Sequence, residues 1–115
     1  MKGRFSDSSR IFIFRQAGVV HGKIHPANGR WRALPHRVRH SPTGFEYGYE
    51  GSGPADLALS ILSACVSHEL ADRWYQHFKR AVVSRQEKIA WSITFGEVRQ
   101  FVRECEAASK ETTPP

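Results

Sequence analysis

The chain has 115 residues, of which 40% are hydrophobic and 24% charged. That suits one globular domain with a modest core and excludes a second core of its own. No apolar run approaches the roughly 20 residues that span a bilayer, and the polar N-terminus lacks a signal-peptide core, so a cytoplasmic protein without a membrane partner is expected. The net charge of +6 is unevenly placed. Residues 1–40 hold nine Lys/Arg and a single acid, Asp7, whereas residues 41–115 hold eight Lys/Arg and ten acids. The basic half suits nucleic acid or an acidic protein surface. A merely solvated basic face is the plainer alternative.

Residues 1–9 are polar and read as a flexible terminus. Arg10-Ile-Phe-Ile-Phe-Arg15 is rich in aromatic and β-branched residues and reads as a buried strand. Gln16-Ala-Gly18 is a turn, and Val19–Ile24 completes a hairpin. Gly22 inside that strand signals a bulge or a close backbone approach. Asn28-Gly29 is a strong turn signal. Arg30-Trp-Arg-Ala-Leu34 alternates as a third strand, stopped by Pro35. His36-Arg-Val-Arg-His40 is basic and extended.

The stretch from Ser41 to Leu62 organises the chain. Gly44, Gly48, Gly51 and Gly53 interleave with Phe45, Tyr47 and Tyr49, in a loop whose aromatics can pack onto a core. A helix follows, with Ser52 or Gly53 as N-cap, Pro54 at its first position and Asp56 in its first turn. It is apolar nearly all round to Val66, which predicts a central buried helix. Ser67 caps a second helix to about Val83, with Leu70, Trp74, Phe78 and Ala81 as its apolar stripe. Ile89–Ile93 alternates as a closing strand. Thr94-Phe-Gly-Glu97 is a capping box that opens a third helix to about Ala107. Residues 108–115 read as a disordered tail. The predicted fold is a single α+β domain over residues 10–107. In it a small antiparallel sheet packs against the central helix, with two further helices beside it. Cys65 and Cys105 lie on apolar helix faces and read as reduced core thiols, with a disulfide or reactive pair as the alternative.

At Leu34-Pro35 and at His40-Ser-Pro-Thr-Gly-Phe-Glu-Tyr-Gly-Tyr-Glu-Gly-Ser-Gly-Pro-Ala-Asp-Leu-Ala-Leu-Ser-Ile-Leu62, the sequence resembles an uncharacterised family. These are short domains of unknown function found in prokaryotes, phages and mobile elements. Tyr75-Gln-His-Phe78 and the Trp91 strand with its capped helix fit the same pattern, over residues 10 to 105. The family usually has Trp where this chain has Tyr47. The resemblance implies a phage or mobile-element setting and supplies no reaction, ligand or catalytic position.

The candidate chemistry is thin. The glycine loop lacks the Gly-Lys-Ser/Thr of a phosphate loop, and Glu46, Glu50 and Asp56 would repel a phosphate, so a structural turn is expected. His21/His25 and His36/His40 have helical zinc spacing but lie in extended segments, and no metal or other cofactor is expected. His40, Ser41 and Glu46 are near in sequence without forming a triad, and the acids more simply bond loop amides, so no catalytic residue is assigned. The binding residues expected are Arg30, Trp31, Arg32, Arg37, Arg39 and His40, cations beside a stacking face. The leading expectation is a small non-catalytic binding module that acts by protein-protein contact, with an inhibitor of a host defence complex of anti-CRISPR type as its specific form. Direct nucleic-acid binding through the basic half is the alternative. The oligomeric state is not legible.

Overall fold

The computed structural model describes residues 5–111. Two strands, β1 (Arg10–Gln16) and β2 (Val19–His25), form the expected hairpin. Their two-residue turn uses Ala17 at φ 52° and Gly18 at φ 79°, the positive-φ pair whose twist matches the flanking strands. The third strand, β3, is only Arg32–Ala33, shorter than the alternation of residues 30–34 predicts. It pairs antiparallel with β2, with Ile24 opposite Arg32. After the helices, β4 (Ala90–Thr94) returns antiparallel to β1, giving the order β3-β2-β1-β4.

Gly22 marks a close approach and no bulge, because the β1–β2 register runs unbroken past it. A Cβ there would lie 2.9 Å from Leu34 Cδ2, and Leu34 N–H donates to the Gly22 carbonyl. That contact folds the chain after β3 back under the sheet.

Helix α1 (Ser52–Cys65) is the central buried element, with every residue from Gly53 to Ser63 buried. It starts one or two residues earlier than the sequence suggests, with Gly51 as an N-cap that makes no side-chain bond. Pro54 still fits, because the first N–H groups of a helix have no intrahelical acceptor to lose. Asp56 thereby falls beyond the first turn. Helix α2 (His68–Ala81) begins at Ser67, whose Oγ accepts from Leu70 N–H. It ends in a 3₁₀ turn at Val83–Arg85. Helix α3 (Phe95–Glu111) opens on the capping box: Glu97 N–H donates to Thr94 Oγ1 and Thr94 N–H to Glu97 Oε1. It runs on to Glu111, through residues 108–111 of the expected tail; residues 112–115, like 1–4 of the N-terminus, lie outside the described residues.

The stretch 5–9, expected to be flexible, carries specific contacts. Phe5 packs on Phe95 with ring centroids 5.2 Å apart, Ser9 Oγ accepts from Ala27 N–H, and Asp7 pairs with Arg99. Ile11, Ile13, Val20 and Ile24 from the inner sheet face share one core with α1, with Trp74, Tyr75 and Phe78 of α2, and with Phe95, Val98 and Val102. Cys65 sits in that core and Cys105 beside it, without a disulfide. Among the described residues, no helix is long and apolar enough to cross a membrane.

Candidate functional site

The strand β1 is not buried on both faces. Ile11 and Ile13 are fully buried, but Phe12 and Phe14 are half-buried on the outer face. The reading of this strand as wholly internal is therefore corrected. All four side chains are apolar, so hydrophobicity alone could not separate the two faces. What leaves the outer face open is that no element among the described residues packs over it and that its neighbours on β4 are small. Phe12 lies opposite Ser92 and Phe14 opposite Ala90. A shallow depression lined in part by Phe12, Phe14, Ala90 and Ser92 results.

On the other side, β2 supplies His21 opposite Phe14, Lys23 opposite Phe12 and His25 opposite Arg10. Phe14 and His21 stack at 5.1 Å with their planes 22° apart. Trp31, 51% exposed, covers the end of the row. It stacks on His25 at 4.4 Å and meets Phe12 at 5.0 Å. Arg10 is held along the strand by a bond to Ser92 Oγ. The outer face is thus a row of ring surfaces bordered by Arg10 and Lys23. None of the four strands contains a carboxylate.

The six residues expected to form one patch separate. Trp31 lies at the edge of this outer face, and Arg30, the exposed residue before it, belongs to no strand. Arg32 pairs with Ile24 and turns to the inner side, its guanidinium 5.4 Å above the Phe5 ring. Arg37, Arg39 and His40 lie over the helices. Arg37 and Arg39 both pair with Asp72, at 3.1 and 3.2 Å, and His40 Nε2 bonds Tyr75 Oη at 2.8 Å. Half of the expected patch is therefore committed to internal contacts. Phe12, Phe14, His21, Lys23 and His25 take its place, and their i, i+2 alternation on two paired strands was the signal for them.

The segment 36–41 is organised by Asp56, whose side chain is fully buried on α1. Its carboxylate accepts from the N–H groups of Arg39, His40 and Ser41 and contacts His36 Nε2 at 2.9 Å. Burial pushes this carboxyl upward, but the bonds from His36 and the three amides outweigh it and hold it below the usual carboxylate range. This is the structural role weighed for the acids. Glu46 pairs with Arg15 and Glu50 with Lys79. Ser41 Oγ donates to the Gly44 carbonyl and His40 faces Tyr75, so His40, Ser41 and Glu46 do not converge. Burial, with Glu104 and Glu106 alongside, raises the Cys105 thiol above its ordinary value. Among the described residues, no three His, Cys, Asp or Glu side chains gather at metal-binding spacing.

A family model described as a family of unknown function (DUF6166) matches residues 17–104. The match takes in His21, Lys23, His25 and Trp31 and starts after β1. No curated protein and no solved structure matches the chain.

Proposed function

The chain belongs to this family of unknown function, DUF6166, and from its sheet we propose that it is a non-catalytic module that binds single-stranded nucleic acid. The observation that carries the reading is the outer sheet face, where Phe12, Phe14 and Trp31 present rings beside Arg10 and Lys23 with no carboxylate on the strands. Unpaired bases stack on aromatic side chains irrespective of sequence, and flanking cations contact the phosphates. A duplex keeps its bases paired and stacked inside, so this flat face has nothing to insert into it. The phage or mobile-element setting that the resemblance implies fits such an accessory protein.

The test is fluorescence anisotropy with a labelled single-stranded oligonucleotide and with its duplex. The single strand binds, and the duplex binds at least tenfold more weakly. Phe12→Ala and Trp31→Ala each remove about 1–3 kcal/mol, the contribution of one stacked base. If neither strand form binds at low salt, the nucleic-acid reading is lost. The face then falls to an acidic protein surface, which is the host-defence inhibitor of anti-CRISPR type, and a pull-down with wild type against Trp31→Ala separates that outcome.

A further inference from the structure

A second opening lies on the inner side of β3, away from the aromatic face. It is a cavity of about 390 Å³ between the β2–β3 edge, the chain after β3, α1 and the start of α2. Ligand sites of small molecules begin at about this size, roughly 300 Å³. One wall is cationic and hydroxylic. Arg32, Arg37, Ser60, Ser63 and His68 line it, and no Asp or Glu does. The rest is apolar, with Phe5, Ile24 and Ala64 among the lining residues.

Two features set this wall apart from ordinary surface. Ser60 and Ser63 are buried hydroxyls, 1% and 5% exposed, on a helix otherwise built for a core. They fix Arg37 by accepting from its N–H at 2.9 Å and from its Nη1 at 2.8 Å. Arg32, in contrast, makes no ion pair among the described residues and rests its guanidinium on the Phe5 ring. One guanidinium is anchored and shared with Asp72; the other is a charge without a counter-charge at the mouth of an acid-free cavity. Guanidinium forks match the oxygens of phosphate esters, and an apolar wall takes the organic part.

We propose that this cavity binds a phosphate monoester with a flat aromatic body of mononucleotide size. The ester could be a free small molecule or the terminal nucleotide of a strand that crosses the β3 edge from the outer face. The site itself does not depend on the sheet face binding nucleic acid.

Amide NMR titrations with adenosine 5′-monophosphate, adenosine and inorganic phosphate test it. The monophosphate gives saturable shifts confined to residues 32–37 and 60–68. Adenosine and phosphate alone bind at least tenfold more weakly. Arg32→Ala weakens the monophosphate roughly 10- to 100-fold, as expected for a lost charged donor. Ala64→Leu fills the cavity and abolishes the shifts, with unchanged α3 signals showing that the fold is kept. No saturation at millimolar monophosphate overturns the proposal. So does equal binding of adenosine or of inorganic phosphate, or an Arg32→Ala protein that binds as wild type. Once the monophosphate binds, a 5′-phosphorylated oligonucleotide that outcompetes its 5′-hydroxyl counterpart supports the site with a strand end as the source. Equal competition supports it with a free ligand as the source.

Discussion

At the scale of the residue, Asp56 does the most to fix the shape of the chain. A buried carboxylate is tolerated only if its lone pairs are filled, and here three backbone amides and His36 fill them. The bonds tie residues 36–41 to α1 and so place Arg37, the anchored wall of the cavity. Asp56→Asn keeps the shape but turns one acceptor into a donor facing amide N–H groups. It is expected to lower stability by about 2–4 kcal/mol, read as a drop in Tm. The folded-state carboxyl is held below its ordinary value, so its contribution is complete above the unfolded value of about 3.9 and is lost as pH falls through the lower folded value. Wild type should therefore lose stability steeply over that acid range, and Asp56→Asn should lose less; parallel pH profiles would refute this role. That the acids bond loop amides was expected from the sequence, but which amides Asp56 takes was not legible locally. Asp56 and its amide partners lie 15 to 17 residues apart, and an acid near a helix start reads first as a dipole partner.

At the scale of the element, strand β1 separates stability from binding by alternation alone. Ile13 is fully buried, and Ile13→Ala should cost about 2–5 kcal/mol in urea denaturation. Phe12 is half-exposed, and Phe12→Ala should cost about 1 kcal/mol while removing a stacking ring. A Phe12→Ala loss as large as that of Ile13→Ala would mean that the outer face is covered. The starts of α2 and α3 were legible because capping is local chemistry: Ser67 and Thr94 both accept as the sequence implies. Thr94→Ala should lower stability by about 1 kcal/mol, read as a lower urea midpoint with an unchanged slope. The division of the basic segment was not legible. Trp31 and Arg32 are neighbours, and which of them faces outward depends on the register of β3 on β2, which the Leu34–Gly22 contact sets from outside the strand.

At the scale of the whole molecule, the sequence shows the charge asymmetry but not which charges remain available. Residues 8–45 contain no acid at all, yet folding brings Asp72 to Arg37 and Arg39, and Glu46 to Arg15. Among the described residues, the cations left bordering the aromatic row are Arg10 and Lys23. Each phosphate neutralised on a single strand contributes about −0.7 to the slope of log affinity against log salt. Two contacts therefore give a slope of about −1.4, against about −6 if all nine basic residues of the N-terminal forty took part. Lys23→Ala should reduce the slope by about 0.7 in magnitude and lower affinity equally for all sequences. Arg39→Ala should leave the slope unchanged, because that side chain is already paired with Asp72 and rests 5.6 Å over the Tyr75 ring. A slope that falls with Arg39→Ala and not with Lys23→Ala would move the contact surface from the sheet to the helices. The aromatic row would then be left without a strand to stack on it.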